Sequence, residues 1–378
     1  MATCYIFGAG ASYGYNSDVE EKDCPPLTEQ FLVKAREQNV LTEDNFPSLR
    51  EGVVKYLNEK ENLNAETFEQ LSEADLKIDI EKFLGWSFSR RDEFSDRFDR
   101  LVSERILEGR DELEEELFLF DSVIGETYFF IYELLRRYPS SDKIIRNNYR
   151  KLLRKTRNED AYFISLNYDV LLECAAQKRD MIAIYTGIHD KLDIDYPKDY
   201  VPVAKVHGSI NWINPTDMRP EKGFSNSIKV RHLKGISYTH PETSVEVYSI
   251  DRLRRTSYRE FLNSNPMSKI AIVPPLAENK NFEEISDYKR VWKFAGEMLS
   301  KSDEVVFIGC SVREQDEKFI ETLENNLRDN VKLSIFSGRD SESIESQLED
   351  YATNPEFITD EKVINSKRHF DDYIQYIS

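Results

Sequence analysis

Cysteine is scarce in this chain: four residues among 378. Cys4, Cys24, Cys174 and Cys310 lie far apart, and none belongs to a C-x-x-C pair. Neither a four-thiolate zinc site nor a disulfide framework can be read from that spacing. Positive charge is short as well, and the formal net charge is -19. Such a surface repels nucleic acid, whose binding rests on cationic contacts to phosphate, so direct nucleic-acid binding is not expected. Long apolar runs are missing. The most apolar stretch, Leu117 to Leu135, is broken by Asp121, Glu126 and Glu133, which excludes a membrane span there. The opening MATCYIFGAG reads as a strand and not as a signal peptide. No internal repeat or low-complexity linker interrupts the chain. These absences lead us to expect a soluble, cytoplasmic protein held together by an ordinary core.

The material for that core is present. Hydrophobic residues make up 40% of the chain and aromatics 12%, enough for one large core plus an insertion. Short apolar runs suited to buried strands recur at 3–7, Tyr162–Leu166, Val201–Val206, Ile270–Val273, Val305–Ile308 and Val331–Phe336. Helical patterns at 288–301 and 315–327 lie between some of them. Alternation of this kind predicts an α/β fold, a Rossmann-like doubly wound parallel sheet. From about Leu27 to Lys155 the pattern is helical and strongly charged. Ile106, Leu113, Leu117, Phe120, Ile124, Ile131 and Leu135 form one apolar stripe. The run EGRDELEEE at 108–116 reads as a solvated helix face. The expected organisation is a discontinuous Rossmann-like domain, 1–27 plus 156–378, with a helical insertion domain at 28–155.

Four short motifs end strands in this scheme: FGAGAS at 7–12, SLNYD at 165–169, KVHGS at 205–209 and VFIGCS at 306–311. Each is weak alone. Together they describe a nucleotide site at the carboxyl edge of a parallel sheet. Gly8 and Gly10 let the backbone approach a pyrophosphate ahead of a helix start. The spacing departs from G-x-G-x-x-G, and no second strand with a ribose-binding acid follows, so a hydride-transfer dehydrogenase is not expected. A tight strand–helix turn without ligand is the alternative. Asn167 can both donate and accept at a strand end. Asp169 precedes VLLECAA, so a helix N-cap competes with a ligand role. His207 follows the run VPVAKV and is a candidate base; Gly208 beside it allows close approach. Gly309 and Ser311 could face a ribose, Asp316 could cap the next helix, and Cys310 reads as a buried thiol. Pro274–Pro275 stiffens a loop at the same edge. His189, His232, His240 and His369 receive no role. The window 219–259 is locally basic, with nine Lys or Arg against four Asp or Glu; it is a solvated loop or an attractor for a phosphate-rich ligand or acidic partner.

The series GAGAS, NYD, KxHGS and IGxS resembles the sirtuin-like family, specifically the prokaryotic sirtuin-like NAD hydrolases of anti-phage defence. The resemblance spans residues 7 to about 316, with the helical part matching only as an insertion. It implies that Gly8, Ala9, Gly10 and Ser12 bind NAD phosphates, that Asn167 positions water or ribose, and that His207 acts as base. Asp169, Gly309 and Ser311 would be further cofactor contacts. The four-cysteine zinc module of the protein-deacylating sirtuins is missing, and the interval from glycine loop to Asn motif is longer.

The implied chemistry is cleavage of NAD, the substrate, to nicotinamide and ADP-ribose, with no metal. A site for it must hold the ribose, exclude bulk water and place one nucleophile. Asn167 can orient that nucleophile and His207 can take its proton near neutral pH. An NAD-dependent deacylase or ADP-ribosyl transferase, or a non-catalytic NAD or ADP-ribose sensing module, stays open beside this reading. In the family a HerA-type DNA translocase is one partner. A homo-oligomer is expected, with Phe118, Phe120, Phe129, Phe130 and Tyr132 of the insertion as interface candidates, or else as packing onto the sheet domain.

Overall fold

A computed structural model describes residues 1–16, 19–20, 23–138, 147–188, 199–215, 245–264, 268–273, 286–313, 316–337, 341–349, 351, 356–359 and 369–378. His189, His232, His240, Pro274–Pro275 and residues 219–244 of the basic window lie outside the described residues.

The first strand, β1 (Thr3–Phe7), is buried at every position. A strand apolar throughout must be covered on both faces, which is how strands of parallel sheets read. It pairs in parallel with β2 (Ala161–Ser165) on one side and β8 (Glu304–Ile308) on the other. Beyond β2 lie β4 (Tyr200–Lys205) and then β3 (Ile182–Tyr185); beyond β8 lie β9 (Lys332–Phe336) and β10 (Glu356–Thr359). All seven strands are parallel, in the order β10-β9-β8-β1-β2-β4-β3. The chain fills one side of β1 first, with β3 at the edge and β4 returning between β2 and β3, and then the other side with β8, β9 and β10, which makes a doubly wound α/β sheet with its switch point between β1 and β8. The helices Asn148–Lys155, Leu171–Gln177 and His369–Tyr376 pack together, and Ser286–Lys301 packs with Glu317–Asn326.

Register settles where the motifs emerge. Phe7 stands opposite both Ser165 and Ile308, and Ser165 opposite Lys205. The residues that follow these four positions therefore leave the sheet along one row.

Ile270–Val273 departs from its expected place in the parallel sheet. The strand there, β7 (Ser268–Ile272), pairs antiparallel with β5 (Gly208–Pro215), which also pairs with the short β6 (Glu246–Val247). Gly208 makes this second sheet possible. It turns the chain at φ 79°, and a Cβ there would sit 2.0 Å from the Ala271 carbonyl oxygen. A four-residue apolar run carries no information about the direction of its pairing.

The region between β1 and β2 is helical: Phe31–Glu37, Pro47–Lys60, Ile80–Ser103 and Arg110–Leu135. Its core joins Leu49, Val53, Phe83, Phe120 and Phe130 to Ile210, Ile213, Ile270 and Ile272 of the small sheet. The helix Asn148–Lys155 falls within the stretch expected to be insertion, yet Tyr149, Leu152 and Leu153 pack in the core of the large sheet. Four of the five rings proposed as interface candidates, Phe120, Phe129, Phe130 and Tyr132, are buried inside the chain. They fill the second core and offer no free surface. Among the described residues, no helix is long and apolar enough to cross a membrane.

Candidate functional site

One cleft gathers residues from all four strand-end motifs. Gly8, Ala9 and Ser12 come from the first, Asn167 and Asp169 from the second, His207 from the third, and Ser311 from the fourth. Glu81, Thr28, Phe31 and Leu135 reach it from the helical region, and Tyr168, Arg313 and Asp316 complete its polar wall. The cavity measures about 90 Å³.

Two sequence-derived candidates do not line the cleft. Gly10 and Gly309 lie behind it, where two turns cross at backbone distance. The Gly10 N–H donates to the Gly309 carbonyl at 2.9 Å, and the Gly8 N–H to the Ile308 carbonyl at 3.1 Å. Gly309 has φ 57°, and a Cβ there would lie 2.2 Å from the Ala11 nitrogen. These glycines serve the close approach of the turns, and the amides of Gly8 and Gly10 are already bonded. We expect Gly309→Ala to lower stability by more than the ~1–2 kcal/mol of a left-handed residue alone, because the methyl also meets backbone. Urea unfolding measures this; a loss under about 1 kcal/mol would show that the turns can separate cheaply.

Asn167 is anchored on one side. Its Nδ2 donates to the Gly8 carbonyl at 2.7 Å and to Ser12 Oγ at 2.9 Å. A carbonyl only accepts, so the nitrogen of the amide must face Gly8. That leaves Oδ1 as the atom turned elsewhere, and no described residue hydrogen-bonds to it. Ser12 Oγ in turn donates to Asp169 Oδ2 at 2.5 Å, while Asp169 Oδ1 accepts from the Leu171 N–H at 2.9 Å. Val170 is the N-cap residue of the helix Leu171–Gln177; Asp169, one residue earlier, accepts from the helix's first N–H and holds Ser12, which holds Asn167.

Behind the cleft, Lys205 is buried in β4. Its ammonium donates to the Asp169 carbonyl and pairs with Glu173 at 3.5 Å. Glu173 also accepts from the Tyr185 hydroxyl at 3.0 Å. Burial pushes the Glu173 carboxyl upward in pKa, and Lys205 pulls it back.

His207 sits at the corner between the two sheets. Its carbonyl accepts from the Val273 N–H at 2.9 Å. Nδ1 lies 3.3 Å from the Leu166 carbonyl and Nε2 lies 3.1 Å from Asp316 Oδ2. Both ring nitrogens face oxygen acceptors, which favours the imidazolium. Burial alone would lower its pKa; the Asp316 carboxylate outweighs that, helped by Glu81 and the Leu166 carbonyl, and the net shift is upward. Asp316 stands at the N-cap of the helix Glu317–Asn326, but its side chain makes no capping bond and faces His207 instead.

The sign of that shift sets a pH dependence. The folded pKa exceeds the ordinary value of 6.5. The pairing therefore contributes fully below that pH and is lost as pH rises through the folded pKa. We expect the melting temperature of the wild type to fall more steeply above pH 6.5 than that of His207→Gln. Parallel melting curves for the two across pH 6 to 9 would contradict the pairing.

Arg313 and Glu81 were not legible as site residues. Arg313 donates to Glu81 Oε2 at 2.8 Å, Asp79 Oδ2 at 3.2 Å and Thr28 Oγ1 at 3.0 Å. Glu81 Oε1 accepts from the Tyr168 hydroxyl at 2.8 Å. Burial pushes the Glu81 carboxyl above its usual range, against the pull of Arg313. The one available signal was position: Arg313 follows Ser311 by two residues. All four cysteines are buried free thiols, and burial pushes Cys310 up to about 12. Among the described residues, no three His, Cys, Asp or Glu side chains gather so as to hold a metal ion.

No protein-family model matches this chain, and no curated protein matches it.

Proposed function

We propose that this chain is an NAD glycohydrolase of the sirtuin-like kind, cleaving NAD to nicotinamide and ADP-ribose as a defence effector. The observation that carries the reading is the anchored Asn167, with Oδ1 turned from its Gly8 anchor, in one cleft with the His207–Asp316 pair. Nicotinamide leaves with the electron pair of its bond to ribose C1′. A water oxygen then bonds to C1′, and one water proton must be removed. Asn167 Oδ1 orients that water by accepting one of its hydrogens. The proton passes to the Asp316 carboxylate of the His207–Asp316 pair, because an imidazolium has no lone pair to accept it. The cleft walls Phe31, Leu135 and Leu166 limit access of bulk water. A homo-oligomer and a HerA-type translocase partner belong to the same reading.

A second reading is a module that binds NAD or ADP-ribose without turnover. The engagement of both His207 nitrogens favours it. The two are separated by incubating the purified chain with NAD, alone and with a HerA-type partner, and following free nicotinamide. Release without any acylated peptide is the expected result. Binding of NAD with no cleavage under either condition supports the module, and strict dependence on an acyl-lysine peptide supports a deacylase.

A further inference from the structure

The cleft is acidic where a dinucleotide is not welcome to acid. Glu81, Asp169 and Asp316 line it, and Asp79 adjoins it through Arg313. Besides His207, Arg313 is the one cation among its described lining residues. A pyrophosphate entering this space meets carboxylates at close range and is repelled unless a cation turns to it. The guanidinium fork matches phosphate oxygens two at a time. It lies on the loop after β8, beside β1, at the switch point where ligands of doubly wound sheets bind. Arg313 is also a third exposed, with side-chain accessibility of 33%, whereas Asp79 and Glu81 are at 13% and 12%. The cation is therefore the member of the cluster with room to move.

We infer that Arg313 is the phosphate-recognising residue of this cleft, and that Asp79 and Glu81 of the helical region compete with the ligand for its guanidinium. The inference deepens the nucleotide reading and rests on it. Asp79 is suited to such competition. Its Oδ1 accepts from the Glu81 and Lys82 N–H groups and caps the helix Ile80–Ser103, leaving Oδ2 for Arg313. Ligand phosphate and the helical region then hold the same side chain in turn. By reciprocity, whatever tightens the contact of the helical region to Arg313 weakens ligand binding, and ligand binding loosens that contact.

The test is calorimetric binding of ADP-ribose to the full chain, which requires no turnover. Arg313→Gln should weaken binding about 10- to 100-fold, the range for a lost charged hydrogen bond. Asp79→Asn keeps the helix cap and removes the competing charge, so it should tighten binding by about 2- to 5-fold. Inorganic pyrophosphate should compete with ADP-ribose on the wild type and not on Arg313→Gln. Nicotinamide riboside, which has no pyrophosphate, should bind both alike. Unchanged ADP-ribose affinity in Arg313→Gln, or weaker binding in Asp79→Asn, overturns the inference. The opposite signs of the two variants protect the test, since a folding defect in Arg313→Gln cannot produce tighter binding in Asp79→Asn. Nicotinamide release with Arg313-independent binding would remove this inference and leave the hydrolase. Arg313-dependent binding without release would do the reverse.

Discussion

Asn167→Ala is expected to lower nicotinamide release from NAD by about two orders of magnitude, the scale for losing a group that positions the reacting atom. The expectation follows from how the amide is held. Gly8 and Ser12 fix Nδ2, Asp169 fixes Ser12, and Lys205 fixes the Asp169 carbonyl. Each link removes a freedom from Oδ1, so its orientation is set before any ligand arrives. Truncation to Ala deletes Oδ1 and also leaves Ser12 Oγ without one donor. ADP-ribose affinity should change far less than turnover, because Arg313, the proposed phosphate contact, is held by Glu81, Asp79 and Thr28 and not by this amide. Asn167→Asp is the sharper variant: it keeps the shape but turns a carboxylate oxygen toward the Gly8 carbonyl, and it should be as inactive as Ala. Near wild-type turnover in both variants would sink the assignment of Asn167. A parallel loss of binding and turnover would make it a binding residue only.

Lys205→Met is expected to destabilise the fold by about 3–5 kcal/mol, the range for breaking a buried ion pair from one side. Lys205 and Glu173 have side-chain accessibilities of 2% and 4%. Removing the ammonium leaves the Glu173 carboxylate in the interior with its own backbone N–H and the Tyr185 hydroxyl to stabilise its charge. Burial already drives this carboxyl toward the neutral form, and Lys205 is what opposes the shift. In the variant the folded pKa of Glu173 lies further above its unfolded value, so the loss grows as pH rises away from the acid range. The double variant Lys205→Met with Glu173→Leu should recover most of the loss, since replacing a whole buried pair by apolar residues is close to neutral. Urea unfolding of the wild type, both single variants and the double variant closes the cycle. A single-variant loss below about 1 kcal/mol, or no recovery in the double, would mean that the pair is not what holds β4 to the helix Leu171–Gln177.

The strand ends were legible because parallel strands buried on both faces appear as uninterrupted apolar runs, and glycine or a polar residue marks where each run stops. The row of motifs at one edge followed from that and from the tendency of doubly wound sheets to bind at their carboxyl ends. Asn167, His207 and Ser12 were found this way, and the structure brings them together. Gly10 and Gly309 were read as ligand contacts because a glycine needed for ligand approach and a glycine needed for the approach of another turn look the same in one dimension. Only the crossing of the two turns separates the cases. Lys205 stood inside one of the motifs and received no role, although a lysine in an apolar strand is itself a sign of a buried partner. That partner, Glu173, lies on a helix whose position no spacing reveals.

The amino-acid sequence by itself determined the α/β class, the helical region between the first two parallel strands, and the edge at which the polar residues emerge. Those features depend on periodicity, on run length and on the residues that end a run, all of which are local. Tertiary structure decided the rest. It turned Ile270–Ile272 into an antiparallel sheet, placed Asp316 against His207 where a cap was expected, and carried Glu81 and Asp79 across to Arg313. Each is a pairing between residues distant in the chain, and its partner is chosen by which surfaces meet once the core has closed.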